Sequence, residues 1–316
     1  MGMIVHVPVL LEQVLHYLAP RSAKELLIDA TLGEGGHSFA FLSRFGDLSV
    51  VGVDADPAIQ DVARERLGEF GERMRFYTGW SQDFFADYPA DLERPDTVLM
   101  DLGVSSYHYE RSGRGFSFSS EEKLDMRLDV SQGFSAAELL AQRPEKEIAD
   151  ILYKNAGERY SRRIAGAVAR ERRNGAVFTA QALSELVKRA VPASYRHGTI
   201  HPATRTFMAL RIAVNGELER LPVLLEGAFK VLKPGGRLGV ISFHSLEDRV
   251  VKNFFKMKNR DCVCPPEQAV CSCSGARSVN ILTPKGVTAD EDEIKRNPPS
   301  RSARLRVAEK KQENGR

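Results

Sequence analysis

The sequence predicts an α/β protein with a Rossmann-like open sheet and a mainly helical inserted domain, on three observations. Short apolar runs alternate with helix-like segments in the first third of the chain. The first of these runs leads into a glycine-rich turn, Gly33-Glu-Gly-Gly36, and the second ends on Asp54. From Ser105 a loop rich in Gly, Ser and Arg gives way to helical patterning, and strand-like patterning returns only after about residue 216.

Apolar periodicity predicts the elements before the insert. They are a helix at 10–18, strands at 26–30, 50–53, 75–78 and 97–101, and helices at 38–45 and 58–67. The run at 50–53 is continuously apolar, which is typical of a parallel strand buried on both faces. Asp56-Pro57 supplies an N-cap and a first-turn proline for the helix that follows.

The elements after the insert are predicted in the same way. They are a helix at 217–232, a strand at 238–243, a helix at 246–257 capped by Ser245, and short strands at 279–282 and 304–307. We therefore expect residues 1–104 and 216–308 to form one domain, 105–215 to be the helical insert, and 309–316 to be a disordered tail.

Composition limits the class of protein. With 316 residues and 42% hydrophobic content, the chain can bury a sizeable core. No run approaches the ~20 apolar residues of a membrane-spanning helix, and the N-terminus lacks a basic segment followed by an apolar stretch. We expect a soluble cytoplasmic protein with no membrane partner.

Charge is unevenly distributed along the chain. The net charge is +3, but residues 159–211 contain eleven basic side chains, mostly Arg, against Glu171 and Glu185. Such a segment favours contact with a polyanion such as nucleic acid, because Arg makes bidentate contacts with phosphate. A solvated helical surface rich in Arg is the alternative.

The four cysteines form two pairs, Cys262 with Cys264 and Cys271 with Cys273. Four thiolates suit structural zinc, but zinc pairs are usually separated by two or more residues, so the match is weak. Reduced thiols in a loop are the alternative.

The glycine-rich turn and Asp54 predict a nucleoside pocket. Gly33, Gly35 and Gly36 let the backbone approach a ligand, and a carboxylate at the end of the second strand can accept hydrogen bonds from both ribose hydroxyls. This pattern fits NAD or S-adenosylmethionine. The dinucleotide fingerprint needs a third glycine where this chain has Ser38, which disfavours NAD. Asp101 ends another strand and points to the same crevice, although it could be a simple strand-end cap.

Six motifs then occur in a fixed order: TLGEGGH at 31–37, DLGVSS at 101–106, RGFSF at 114–118, LDMR at 124–127, HPATRTF at 201–207 and ISFHSLEDR at 241–249. Together they resemble the bacterial MraW-like family of 16S ribosomal RNA (cytosine-N4)-methyltransferases, from about residue 6 to residue 307. Any one of these motifs would be weak alone, whereas six in register are specific.

The resemblance implies a class I methyltransferase sheet, S-adenosylmethionine as cofactor, and the decoding region of 16S ribosomal RNA or the small ribosomal subunit as partner. The family's cofactor contacts correspond here to Gly35, Gly36, His37, Asp54 and Asp101. Two positions depart from the family pattern. Trp80 stands near the place of a Phe and could stack on adenine, and His108 stands where the family has Gln.

Methyl transfer from a sulfonium needs no catalytic metal and depends chiefly on holding the two reacting atoms close and collinear. The lone pair of a cytosine amine is delocalised, so an acceptor for its hydrogens can turn that lone pair toward the methyl group. Asp101, or the backbone carbonyls of 102–104, is placed for this role. The resemblance assigns Asp101 to the cofactor instead, and both roles remain open at this point.

A stacked base must leave its helix to reach such a crevice, so aromatic and basic side chains should line its path. The candidates are Phe116, Phe118, His201, Arg205 and His244, with Arg159, Arg162 and Arg163 contacting phosphates. Each of the first five also has a structural explanation, namely core packing, bracing of the insert or capping of a strand end. The alternatives for the whole chain are methylation of another nucleic-acid or protein amine, and a non-catalytic RNA-binding module. Oligomeric state is open.

Overall fold

The computed structural model describes residues 7–119, 121–175, 178–198, 200–262, 264, 268 and 277–312. Its sheet consists of β1 (Leu26–Asp29), β2 (Ser49–Asp54), β3 (Met74–Thr78), β4 (Thr97–Asp101), β5 (Arg237–Ser242), β6 (Val279–Ile281) and β7 (Arg304–Lys310). The strand order is β3-β2-β1-β4-β5-β7-β6. Strands β1 to β5 are parallel, and β7 runs antiparallel to both of its neighbours. This arrangement confirms the predicted fold class.

The strand order reverses between β1 and β4, which pair side by side. In open α/β sheets a crevice opens at the carboxyl ends of the strands at such a switch point. Asp29 ends β1, Asp54 ends β2 and Asp101 ends β4. The topology therefore brings three acidic side chains to one edge of the sheet.

Four helices connect the first strands: α1 (Leu11–Leu18), α2 (Gly36–Arg44), α3 (Pro57–Leu67) and α4 (Ser81–Ala86). Phe41 and Leu42 of α2 are buried in the same apolar cluster as Val50 of the sheet. Asp56 caps α3 as predicted, because its carboxylate accepts a hydrogen bond from the Ala58 amide at 3.1 Å. Pro57 stands in the first turn of that helix.

The chain divides into two compact units, which we call the sheet unit (Met1–Gly103 and Glu219–Arg316) and the helical unit (Val104–Leu218). The helical unit contains α5 (Ser106–Glu110), α6 (Ala136–Gln142), α7 (Glu145–Ala156), α8 (Ser161–Arg173), α9 (Ala180–Ala190), α10 (Ala193–Arg196) and α11 (Thr204–Asn215). Its core is an apolar cluster of its own, centred on side chains such as Leu152, Ile164 and Leu210.

Helix α12 (Glu217–Val231), α13 (Ser245–Lys258) and α14 (Glu291–Arg296) complete the helices. The predicted cap of α13 is wrong by one residue. His244 is the N-cap: its Nδ1 accepts from the Glu247 amide at 3.3 Å, while the Glu247 carboxylate accepts from the His244 amide. This reciprocal capping box satisfies two amides at once, so Ser245 becomes the first helical residue.

The prediction of a disordered tail from residue 309 is also wrong for its first two residues. Glu309 pairs with Arg237 in the sheet, and β7 continues through Lys310. The Lys310 ammonium donates to the carbonyls of Phe229 and Leu232, both at 2.9 Å, at the carboxyl end of α12. A cation is favoured at that end of a helix, where unsatisfied carbonyls and the negative end of the helix dipole coincide. Residues 313–316 of the predicted tail lie outside the described residues.

Among the described residues, no helix is both long enough and apolar enough to cross a lipid bilayer.

Replacing Lys310 should destabilise the sheet unit. We expect Lys310→Ala to lower the free energy of unfolding by about 1–2 kcal/mol, because carbonyls at the end of α12 lose a charged donor. Urea unfolding measures this change. The neighbouring Lys311→Ala is the control and should stay within about 0.5 kcal/mol of the parent chain. Equal losses in both variants would contradict the assigned role of Lys310.

Candidate active site at the carboxyl edge of the sheet

The carboxylate of Asp54 holds the glycine-rich turn. Its Oδ2 accepts from the Gly33 amide at 2.8 Å, and its Oδ1 accepts from the Asp56 amide at 2.9 Å. Gly33 has φ +52°, a left-handed conformation that suits glycine. A carboxylate has about four acceptor positions, so these two bonds are compatible with further bonds to ribose hydroxyls.

Two of the predicted cofactor glycines have a packing reason for being glycine. A Cβ at Gly35 would lie 2.7 Å from Leu67 Cδ1, and one at Gly36 would lie 2.6 Å from Pro8 Cγ. Both distances are shorter than real side chains allow, so the start of α2 fits closely against its neighbours. The glycines are therefore needed to bring the N-terminus of α2 to this edge, whether or not they also contact a ligand.

Trp80 lies beside the end of β2. The Gly79 amide donates to the Asp54 carbonyl at 2.8 Å, which places the next residue, Trp80, near that strand end. The indole is half-buried, and the Arg220 guanidinium carbon lies 4.1 Å from the centroid of its ring. This cation–π contact covers one face of the indole and fixes its plane. Stacking on an adenine would use the opposite face.

Asp101 is held by its backbone and approached by an imidazole. Its amide donates to Thr31 Oγ1 at 2.6 Å, and its Oδ2 lies 3.6 Å from His37 Nδ1. About a quarter of its side chain is exposed, but Oδ1 is buried and has no hydrogen-bond partner within the described part of the chain. A buried acceptor of this kind is available to a donor that arrives with a ligand.

Asp29, which ends β1, is a site residue that sequence reasoning missed. This side chain is 2% exposed, accepts from Ser38 Oγ at 2.7 Å, and has its pKa raised to about 6, chiefly by burial. An acid at the end of an otherwise apolar strand, just before the glycine-rich turn, is the signal that could have found it. Strand periodicity alone treats Asp29 as part of β1.

The pKa of Asp101 is raised well above its ordinary value. Burial is the largest cause, followed by the negative charges of Asp29 and Glu247. Like charges close together disfavour ionisation of both, so the carboxylates of this edge compete for charge. Titratable groups with strongly shifted pKa values are concentrated at functional sites, which makes Asp101 a candidate for the chemical centre of this site.

The helical unit contains a cavity of about 160 Å³ that is lined by two of the five predicted nucleotide-path residues. Phe116 and Phe118 both line it, and the Phe118 ring stacks on His201 at a centroid distance of 4.4 Å. Phe116 is 4% exposed and belongs to the core of the unit. His108 is buried on α5 with its ring 5.2 Å from that of Phe116, and its cofactor role stays a prediction.

The basic side chains divide into two groups. Arg159, Arg162 and Arg163 are exposed at the start of α8. Arg172, farther along the same helix, instead donates to three carbonyls at the end of α6, those of Leu140, Ala141 and Arg143, at 2.8–3.2 Å. Arg170 and Arg173 of α8 are exposed as well, whereas Arg172 is half-buried. At least one charge of the positive segment therefore stabilises the fold.

The remaining predicted residues are on other elements or outside the described residues. Arg205 is half-buried on α11. His244 is 9% exposed at its side chain and caps α13. Cys262 is exposed and Cys264 is half-buried, whereas Cys271 and Cys273 lie outside the described residues. The zinc prediction therefore stays untested.

The raised pKa of Asp29 predicts a specific pH dependence of stability. Because this pKa is about 6 in the folded chain and ordinarily 3.8, the folded chain binds more protons between about pH 4 and pH 6, and stability falls as pH rises through that window. Asp29→Asn cannot ionise. Its free energy of unfolding relative to the parent chain should therefore increase by about 2–3 kcal/mol from pH 4 to pH 7. Exposed Asp47→Asn is the control, and its difference from the parent should not change with pH.

Comparison with known proteins agrees with this geometry. The chain matches the MraW methylase family over residues 3–311. It is 54% identical over 306 residues to "Ribosomal RNA small subunit methyltransferase H" of Treponema denticola, covering 97% of each chain. The protein of the same name from Syntrophobacter fumaroxidans is 45% identical over 311 residues, with 96% of each chain covered. That of Treponema pallidum is 42% identical, with 97% of this chain and 93% of the other covered. Matches of this extent, together with the six ordered motifs, show that the chain belongs to the MraW methylase family.

Proposed function

We propose that this protein transfers a methyl group from S-adenosylmethionine to N4 of a cytidine in the decoding region of 16S ribosomal RNA. The observation that carries the proposal is the buried acceptor Oδ1 of Asp101, at the sheet edge where Asp54 and the glycine turn form a nucleoside site. The names of the relatives, ribosomal RNA small subunit methyltransferases, supply the substrate class.

The residues at the sheet edge fit this cofactor. Asp54 suits the two ribose hydroxyls, the face of Trp80 opposite Arg220 suits the adenine, and the turn with Gly33 suits a ligand lying close to the backbone. Gly35, Gly36 and His37 begin α2, whose N-terminal end lies beside that turn. When bound, S-adenosylmethionine supplies a methyl group activated by the positive sulfur.

Asp101 would orient the target amine. A cytosine amine conjugated with its ring is a poor nucleophile, and a hydrogen bond from one N4 hydrogen to Oδ1 turns the nitrogen lone pair toward the methyl carbon. Because positioning dominates this reaction, the side chain acts mainly through geometry. The proton released from N4 after transfer passes to this carboxyl group or to water.

The helical unit would bind the RNA. Exposed Arg159, Arg162 and Arg163 suit phosphates, while the cavity beside Phe116 and Phe118 offers aromatic faces to an unstacked base. The proposal covers either free 16S ribosomal RNA or the assembled small subunit, in the cytoplasm. The sheet unit then has the catalytic role and the helical unit the recognition role.

Two substitutions should separate binding from orientation. Asp101→Ala should lower kcat by roughly 100-fold, because no side-chain acceptor is left to orient the amine. Asp54→Asn should instead weaken S-adenosylmethionine binding by about 10-fold or more, through loss of a charged acceptor. Single-turnover assays measure the rate of methyl transfer, and calorimetry measures cofactor binding. An Asp101→Ala enzyme that binds cofactor normally and retains full turnover would remove the orienting role.

Cells with and without this protein provide the direct test of substrate. Mass spectrometry of their 16S ribosomal RNA should show one N4-methylated cytidine that depends on the protein. Calorimetric titration with S-adenosylmethionine and with NAD separates a methyltransferase from a dehydrogenase and from a module that binds neither. If DNA or a protein amide were methylated while the ribosomal RNA stayed unmodified, the proposed substrate would be wrong.

The salt dependence of RNA binding tests the role of α8. Arg162→Gln with Arg163→Gln should weaken binding and reduce the slope of log Kd against log salt by about 0.7–0.9 for each phosphate that is no longer neutralised. The matched control is Arg44→Gln with Arg75→Gln, two exposed arginines of the sheet unit, which should leave that slope unchanged. Equal slopes in both double variants would count against this RNA-binding surface.

A further inference from the structure

We infer that His37 is a positioning residue for Asp101: its imidazole keeps the proton of the His37–Asp101 pair on the Oδ2 side, so that Oδ1 always accepts. This inference rests on the proposed function and assigns His37 a task other than contact with the cofactor. It follows from the hydrogen-bonding capacity of three groups, the Val9 carbonyl, the imidazole and the carboxyl group.

The Val9 carbonyl determines which ring nitrogen of His37 carries a proton. Nε2 lies 3.1 Å from the carbonyl oxygen, and the ring is 5% exposed. A carbonyl oxygen can only accept a hydrogen bond, so Nε2 must be the donor. In the neutral ring, Nδ1 then has no proton and presents a lone pair.

That lone pair faces Asp101 Oδ2 at 3.6 Å. Two acceptors facing each other repel, so the arrangement is favourable when one proton lies between them. The pair is then either imidazolium with carboxylate or neutral imidazole with carboxylic acid. The contact is longer than a hydrogen bond, and such contacts often tighten only when the substrate is bound. In both forms Oδ1 keeps its lone pairs.

The surroundings of Asp101 explain why its proton must be held on Oδ2. Asp29 at the end of β1 and Glu247 in α13 add negative charge near it, and burial further raises its pKa, so the carboxyl group readily holds a proton. Thr31 accepts from the Asp101 amide and gives the carboxyl group no donor. Without His37 the proton could reside on Oδ1. Oδ1 would then donate, and the N4 hydrogens would meet a donor instead of an acceptor.

Two amide substitutions mimic the two ring nitrogens separately. The amide nitrogen of His37→Asn lies at the position of Nδ1, counted in bonds from Cβ, and keeps a donor toward Asp101. That of His37→Gln lies at the position of Nε2 and keeps only the bond to Val9. We expect kcat to fall about 3-fold in His37→Asn and roughly 10- to 100-fold in His37→Gln, the range for loss of a hydrogen bond to a charged group.

The pH dependence of kcat distinguishes this role from a merely structural one, because a structural role would leave the shape of that profile unchanged. In His37→Gln, kcat should rise with pH toward that of the parent enzyme, because Asp101 must lose its proton before Oδ1 can accept. In His37→Asn it should not, because a fixed donor to Oδ2 favours the carboxylate. The dissociation constant for S-adenosylmethionine should stay within about 2-fold in both. His16→Gln, exposed on α1, is the matched control and should match the parent chain throughout.

The inference is overturned if both variants weaken cofactor binding 10-fold or more while kcat is unchanged, which would make His37 a cofactor contact. It is equally overturned if both lose kcat alike with parallel pH profiles. Should His37→Gln fail to fold, nitrogen NMR of the parent chain decides. The His37 ring should carry a proton on Nε2, and its Nδ1 signal should move in Asp101→Asn. A proton on Nδ1 alone, or an unmoved signal, refutes the pairing.

These readings are independent of the RNA substrate. The NMR and cofactor-binding measurements need no methyl acceptor, so they can support the pairing even if the parent enzyme proves to methylate something other than 16S ribosomal RNA. Failure of the proposed function and failure of this inference therefore give different experimental results.

Discussion

Burying carboxylates at the carboxyl ends of parallel strands costs free energy, and that cost explains how the groups around this edge are arranged. Asp29, Asp54 and Asp101 end three strands of one sheet, and each must be compensated or remain neutral. Asp54 is compensated by two backbone amides of the turns beside it. Asp29 and Asp101 are not compensated to the same degree, and their pKa values are raised instead. The edge therefore combines one carboxyl group held by backbone amides with two carboxyl groups whose raised pKa values favour a bound proton.

The glycine-rich turn depends on the first of these carboxylates. Asp54 holds Gly33, and the close packing at Gly35 and Gly36 seats the start of α2 against Leu67 and Pro8. That placement carries His37, the second residue of α2, to Asp101. A single local arrangement thus supplies both parts of the proposed site, namely the glycine turn for the nucleoside and His37 beside Asp101. A larger side chain at either packed glycine would disturb both together.

The two units differ in the kinds of interaction that they contain. The sheet unit has buried charges and hydrogen bonds that fix protons and acceptors. The helical unit has its own apolar core, an aromatic-lined cavity, and arginines of which some brace helix ends and others face solvent. This separation suits an enzyme that must hold small reacting groups rigidly while gripping a large flexible polyanion.

The sequence by itself determined the order of the seven strands and of the helices α1, α2, α3, α12 and α13, because apolar periodicity and capping are local. It did not predict the short helices α4 and α14. The observed elements β4 and α3 begin at or within one residue of the predicted 97 and 58. Motif order likewise determined the family, and the acid-ended strands indicated a nucleoside pocket. Local patterns in the sequence did not determine the N-cap of α13 or the residue at which β7 ends. His244 competes with Ser245 through a side-chain bond, and Lys310 is ordered by carbonyls from a distant helix.

Only the tertiary structure decided which acids interact. Asp101 is more than sixty residues away from Asp29 and His37 in the chain, and each of the three has an ordinary local explanation when considered alone. Their protonation depends on burial and on neighbouring charges from other strands and helices, which no local pattern encodes. In the same way, a run of arginines shows its total charge in the sequence, but the three-dimensional positions of carbonyls decide which of those charges reach the solvent. Short-range preferences are written along the chain, whereas electrostatic environment exists only once distant segments have met.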